Sequence, residues 1–292
     1  MSPAEAVAAA ERLTGEQVTG TRPLGGSVFE VTLGDGRTAV AKRGSGRTAV
    51  AAEAAGLRWL GESGDVAVPA VLGSDEDWLL SEYVPPGSAS AGAAEEFGRG
   101  LARLHLRGAP AFGSPPPDGP ADAWMGLAPM RNEPCPDWPA FFAAHRIAPY
   151  VRTAAEQGLY SARQVAVFDE VRARLPDLAG PPEPPARLHG DTWSGNIHWG
   201  HDGQVWLIDP AAHGGHRETD LAMLAVFGLP HLDRVLGAYE DEAAAAGSPL
   251  APGRRERTGL HQLHFLLVHA VLFGGGYARQ ALAAAQEALR AR

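Results

Sequence analysis

Apolar and polar positions alternate over roughly the first third of the chain and recur at helical spacing over most of the rest. An amphipathic, alanine-rich helix is expected over residues 3–13, stopped by Gly15. Two stretches with period-two alternation, 17–23 and 28–33, predict strands joined by Leu24-Gly25-Gly26-Ser27. A turn at Gly34-Asp35-Gly36 leads into a third strand over 38–42. A helix is expected over 48–60, and strands over 66–72 and 78–83 complete a small antiparallel sheet. Pro85-Pro86-Gly87 then breaks the pattern. The division is placed there: residues 1–84 form an N-lobe of sheet plus helix, and 85–292 a larger C-lobe.

The C-lobe reads as mostly helical. Phe97, Leu101 and Leu104 mark the buried face of a helix over 93–105, and His105 is expected to pack or cap at its end. Residues 108–136 are rich in Gly, Pro and Ala without periodicity, which predicts a long loop, often functional or mobile when it lies inside a compact domain. Helices follow over 138–155 and 161–175, then a proline run over 181–185 and a short buried strand, Val205-Trp206-Leu207-Ile208. A helix opening at His216 and further helices over 231–246, 254–271 and 278–290 close the chain. The fold class is α+β.

Composition narrows the chemistry. A net charge of -9 argues against a nucleic-acid binder that relies on a basic surface. The single cysteine, Cys135, excludes an intramolecular disulfide and a multi-cysteine metal cluster. No run is long and apolar enough to span a bilayer, and the opening Ser2-Pro3-Ala4-Glu5 begins a helix rather than a signal peptide. A soluble cytoplasmic protein is the expectation.

The chemistry concentrates in His189-Gly190-Asp191-Thr192-Trp193-Ser194-Gly195-Asn196, followed by Ile208-Asp209-Pro210. Phosphoryl transfer needs a carboxylate to accept the proton of the attacking hydroxyl, and an amide oxygen and a second carboxylate to hold Mg²⁺ against the phosphates. Asp191, Asn196 and Asp209 have that order and approximate spacing. Any one of them alone would read as a turn residue capping backbone; the three together read as a kinase site. Asp220, near the start of the next helix, reads as a brace for the catalytic loop.

Arg outnumbers Lys 24 to one, and the lone lysine, Lys42, ends the strand Thr38-Ala39-Val40-Ala41-Lys42. A compact ammonium on a flexible stem suits the α- and β-phosphates of ATP, where a planar guanidinium does not. Glu53, on the following helix, is the candidate that fixes the lysine head; the alternative is a solvated helix-face charge. Gly25, Gly26 and Ser27 could let backbone amides approach phosphates, or simply make a tight turn. Glu82 and Tyr83 lie where a hinge backbone would read adenine.

These segments, with Gly215-His216-Arg217-Glu218-Thr219-Asp220-Leu221-Ala222-Met223, resemble the fructosamine-3-kinase (ketosamine-3-kinase) family, within the superfamily of protein-kinase-like aminoglycoside phosphotransferases. Weaker segments that agree include Glu53-Ala54-Ala55-Gly56-Leu57, Met130-Arg131-Asn132 and Leu272-Phe273-Gly274-Gly275-Gly276-Tyr277. Ser27 stands where some members carry a cysteine, so redox switching through that loop is not expected. The resemblance implies a bilobal protein-kinase-like fold and an ATP- and Mg²⁺-dependent kinase that phosphorylates the sugar 3-hydroxyl of ketosamines, free or on protein lysines, a deglycation repair. It implies Asp191 as base, Lys42 and Glu53 at the phosphates, Asn196 and Asp209 on Mg²⁺, and Trp193 offering the sugar a flat apolar face, unless that ring only packs under the loop. A monomer with no nucleic-acid or membrane partner is expected. Two other readings remain: an aminoglycoside or other small-alcohol phosphotransferase, and a kinase-like binding protein without catalysis. The second is disfavoured because the lysine, the base and the metal ligands are all present. His269 and Trp138 are further substrate-side candidates, each read first as a core residue.

Overall fold

The computed structural model describes residues 2–290, with every side chain among them except that of Arg47. Helix α1 (Pro3–Thr14) starts on a capping box between Ser2 and Glu5 and ends on Gly15 in the left-handed region. Strands β1 (Val18–Gly25), β2 (Val28–Leu33) and β3 (Thr38–Arg43) run antiparallel in sequence order. Helix α2 (Arg47–Gly61) follows, then β4 (Val71–Ser74) and β5 (Trp78–Glu82), giving the sheet order β1-β2-β3-β5-β4.

Strand alternation sends the two faces of this sheet to different partners. Phe29, Val31, Leu33, Ala39 and Ala41 pack on the alanine face of α1. On the opposite face Leu79 packs against Val50, Ala54 and Leu57 of α2. Lys42 neighbours Ala41 and therefore points to the α2 side. In register it stands opposite Val28 on one side and Leu79 on the other, which sets it just beneath the glycine turn.

The remainder is mainly helical. Helix α3 (Ala91–Leu106) is capped by the Ser90 hydroxyl. A hairpin of β6 (Asp122–Met125) and β7 (Ala128–Arg131) precedes α4 (Trp138–Phe141), a widened π turn over Phe142–Ile147, α5 (Ala148–Glu156) and α6 (Ala162–Leu178). Two small antiparallel pairs frame the loop between them: β8 (Ala186–Leu188) with β11 (His213–Gly215), and β9 (Ile197–Trp199) with β10 (Val205–Leu207). Helices α7 (Arg217–Met223), α8 (Leu232–Ala245), α9 (Arg254–Phe273) and α10 (Gly275–Arg290) complete the chain. Helix α9 is buried on most of its circumference and is a principal part of the core of the helical region. Among the described residues no helix is long and apolar enough to cross a membrane.

Three expectations need correction. The strand expected over 66–72 is confined to β4; upstream, Pro69 has no N–H to give a ladder, and Ala67 instead accepts a bond from Leu207 (2.9 Å). The loop expected over 108–136 contains the β6–β7 hairpin. The single helix expected over 138–155 is interrupted by the π turn, which ends just before Pro149, a residue that cannot donate to a regular helical ladder. The buried Arg146 of that turn donates to the Asn132 Oδ1 (2.6 Å) and Arg131 carbonyl (2.8 Å), tying it to the end of the hairpin.

Candidate active site

The loop over residues 189–196 is shaped by a glycine, a histidine and a buried aspartate. Gly190 lies at φ 83°, and a Cβ there would sit 2.2 Å from the Ala211 carbonyl oxygen, so no other residue fits. The fully buried Asp220 of α7 accepts the N–H groups of His189 (2.8 Å) and Gly190 (2.9 Å). It also meets His105 Nε2 at 3.2 Å, while His105 Nδ1 meets the Tyr239 hydroxyl at 2.8 Å. His105 thus packs behind the loop and Asp220 braces it.

His189 links this loop to the next segment. Its Nδ1 accepts the Asp191 N–H (3.2 Å), so Nε2 carries the proton given to the Ile208 carbonyl (3.0 Å). Burial lowers its pKa and keeps the ring neutral. One residue on, Asp209 adopts φ 52°, a left-handed conformation that Asp tolerates better than most residues. That turn carries its carboxylate back to Lys42 Nζ at 3.0 Å.

Lys42 also meets Glu53 at 2.9 Å, which joins the sheet to α2. Burial works against the lysine charge, yet Glu53 and Asp209 outweigh it and hold the ammonium pKa above its usual value. Asp191 lies deeper. Burial, opposed by the Asn196 amide and aided by the nearby Asp209 and Asp220 charges, pushes its pKa up to about 7. Its Oδ2 accepts from Asn196 Nδ2 (2.9 Å), and its Oδ1 has no hydrogen-bond partner. A buried carboxylate with an uncommitted oxygen and a pKa near neutrality is suited to accept a proton.

Asn196 uses its Nδ2 on the carbonyl and the carboxylate of Asp191, both at 2.9 Å, and no hydrogen bond engages its amide oxygen among the described residues. With the half-exposed Asp209 carboxylate it forms an all-oxygen pair of the kind that Mg²⁺ takes. The donor chemistry therefore fits that ion.

Two clefts meet at these groups, sharing Val28, Lys42, Glu53 and Asp209. The smaller, about 220 Å³, is lined by Leu24, Val40, Leu79 and the Glu82–Tyr83 segment. The Glu82 side chain turns away to accept the Ala70 N–H (3.3 Å), and the Glu82 N–H is given to the Ala70 carbonyl (2.9 Å). The larger, about 470 Å³, begins at Gly25, Gly26 and Ser27 and runs past Asp191 and Asn196 to Trp193. The Trp193 ring lies over Gly195, where a Cβ would be 2.1 Å away, and meets Phe227 edge-on at 5.7 Å between centroids. Every residue singled out for the site thus lines one cleft or both.

Of the two further candidates, Trp138 is buried and stacks on His261, away from both clefts, whereas His269 lines the larger one. Sequence reasoning missed the outer wall of that cleft: Trp124, Met125 and Leu127 of the hairpin and Val268, Leu272 and Phe273 of α9. It also missed His198 in the smaller cleft. The hairpin left a signal, alternate burial of Ala123, Met125, Ala128 and Met130 about a Gly126 turn. Alanine, methionine and Pro129 carry little strand preference, which hid it.

Known proteins match over nearly all of this architecture. A family model described as fructosamine kinase covers residues 39–291. A "Probable ketoamine kinase" of Klebsiella aerogenes is 36% identical over 244 residues, 82% of this chain and 80% of its own. One of Escherichia coli is also 36% identical, over 243 residues, covering 82% and 78%. A crystal structure assigned to a fructosamine-3-kinase of Thermobifida fusca superposes with a TM-score of 0.89 at 44% identity over 98% of both chains. The choline kinase LicA of Streptococcus pneumoniae, at 15% identity and a TM-score of 0.62 over all of both chains, shares the bilobal kinase-like fold.

Proposed function

The chain belongs to the fructosamine kinase family and is a phosphotransferase, and on that premise we propose that it moves the γ-phosphoryl group of ATP to the sugar 3-hydroxyl of ketosamines. The work would be deglycation, on free ketosamines or on glycated protein lysines, carried out by a monomer in the cytoplasm. The observation that carries this reading is the placement of Asp191. It sits buried beside Asn196, at the junction of a nucleotide-sized cleft and a larger one floored by Trp193.

The residues divide the labour as follows. Leu24 and the Glu82–Tyr83 backbone receive the adenine, and the Gly25-Gly26-Ser27 turn covers the phosphates. Lys42, held by Glu53, takes the α- and β-phosphates in exchange for its contact with Asp209. Asp209 and the Asn196 amide oxygen would hold Mg²⁺, which would supply charge neutralisation at the phosphates. Trp193 supports the sugar. Asp191 takes the proton of the attacking hydroxyl as its oxygen bonds to the γ-phosphorus and the bond to the β-phosphate oxygen breaks, releasing ADP. General-base help of this kind contributes on the order of 10²–10⁴ in rate.

The test is ADP release with MgATP against free and protein-bound ketosamines, an aminoglycoside and choline. Ketosamine-dependent turnover supports the reading. Turnover of the aminoglycoside or choline alone would replace it with a small-alcohol phosphotransferase, and no turnover at all with a kinase-like binding protein.

A further inference from the structure

A contiguous exposed apolar patch, unlike scattered single side chains, marks a binding surface. Among the described residues five large apolar side chains are exposed: Leu24, Leu106, Leu127, Phe227 and Phe273. Leu24 lines the nucleotide cleft, where a bound base would cover it. Leu127 and Phe273 are the most exposed, at 70% and 69%, and both line the outer half of the larger cleft. Phe227 meets the Trp193 ring that floors the same cleft.

These groups come from separate elements that meet. Leu127 is at the tip of the β6–β7 hairpin and Phe273 ends α9, and a Cβ on Gly126 would lie 3.9 Å from Leu272 Cδ1. The hairpin is itself anchored, through a 3.2 Å bond from Trp124 Nε1 to the Thr48 hydroxyl of α2. The wall is thus a built rim on the acceptor side of Asp191.

The charges of the cleft are elsewhere. Among the described lining side chains, Lys42, Arg43, Glu53, Asp191 and Asp209 gather at the phosphate end. The one titratable group on the outer wall is His269. Burial lowers its pKa, its Nδ1 is bonded to the Phe265 carbonyl (3.0 Å), and its ring stacks on Phe265 at 3.9 Å. Among the described lining side chains no carboxylate stands there to pair with a cationic or zwitterionic substituent. Aromatic side chains, Trp124, Trp193 and Phe273, are present instead, and such faces attract an organic cation.

We propose that this outer wall is a subsite for the substituent on the ketosamine nitrogen, and that it selects small apolar, above all aromatic, amines over amino acids and protein lysines. The inference rests on the ketosamine reading above and narrows its substrate class. A cleft of about 470 Å³ is of the size that encloses a small molecule, and its outer lining, His269 apart, is apolar.

The experiment compares kcat/KM for the fructosamines of benzylamine, glycine and Nα-acetyl-lysine and for a glycated protein, with the unmodified enzyme and with Leu127→Ser and Phe273→Ser. The benzylamine adduct should lead the others by about tenfold or more, the worth of burying one phenyl group. That ratio should fall towards one in the variants, whose changes lie on exposed side chains and leave the core intact. Equal kcat/KM across the panel, or a lead for the glycated protein, overturns this inference while leaving the ketosamine reading standing. Failure to turn over any ketosamine overturns both.

Discussion

At Lys42 burial and charge pull in opposite directions, and two carboxylates within 3.0 Å decide the outcome. Lys42→Arg keeps the charge but spreads it over a plane that cannot sit compactly between Glu53 and two phosphates. The expected result is a loss of kcat/KM of a hundredfold or more, roughly the scale of a misplaced phosphate contact, with an unchanged melting temperature. Enzyme assay and thermal denaturation of the same preparation check it. Asp191 presents the reverse case, since burial raises its pKa to about 7. Only the carboxylate can accept a proton, so kcat/KM should rise with pH through an acidic limb near pH 7. Stability responds with the opposite sign. A carboxyl whose folded pKa is raised favours the fold while protonated, below the ordinary carboxylate range, and that contribution is lost as pH climbs towards about 7. Activity and stability are therefore opposed at this residue, and pH–rate profiles beside denaturation curves measure both. The meeting of Asp191, Asn196 and Asp209 in one cleft is legible in sequence because they lie on one short stretch, so local spacing limits their separation. The pKa of Asp191 is not legible, because Asp220 and the surrounding core arrive from distant segments.

Helix α7 earns its place through Asp220, although it spans only Arg217–Met223. Asp220→Ala removes the acceptor for two buried N–H groups of the catalytic loop, at about 1–3 kcal/mol for each buried donor left without a partner. The variant should unfold at clearly lower denaturant and lose turnover, while Asp220→Asn recovers part of the stability. Urea titration of the pair tests it; equal midpoints for wild type and Ala would remove the brace. The short first turn with its acidic residues is readable as a cap, and the bracing role follows from the position just after the Asp209 segment. Other elements were hidden for physical reasons. Strands β8, β9 and β11 have three residues each, too few for a period to register. The β6–β7 hairpin lies in a Gly/Pro/Ala-rich stretch whose composition argues for loop, and its pairing is supported by contacts with α2 and α9 that no local pattern records. That hairpin and the end of α9 build the outer wall of the cleft, so the acceptor side was less legible than the phosphate side.

At the scale of the molecule, the sheet-bearing and helical halves are joined through the site, and the helical half is in turn secured by buried ion pairs. Arg257 forks onto Glu218 at 2.5 and 3.0 Å, and Arg217 onto Glu183 at 2.6 and 2.8 Å. Burial alone would raise the Glu218 pKa, but His261 and Arg257 outweigh it and hold it down at about 2. A depressed carboxylate stabilises the fold above its ordinary range and ceases to do so as pH falls through that range towards about 2. Glu218→Gln should then cost about 3–5 kcal/mol at neutral pH, because a buried guanidinium loses its counter-charge, and the difference from wild type should shrink on acidification. Chemical denaturation at stepped pH would reveal it; a pH-independent difference would assign Glu218 to packing alone. The central claim concerns what the assembled cleft does to an acceptor hydroxyl, and phosphorus NMR of a single turnover tests it most directly. Enzyme in excess over MgATP and a fructosamine should yield ADP and one sugar phosphate coupled to the proton on carbon 3. Asp191→Asn should bind ATP yet leave the γ-phosphorus signal in place over the same interval. Phosphate on another oxygen, transfer to water alone, or transfer that survives Asp191→Asn would contradict the account.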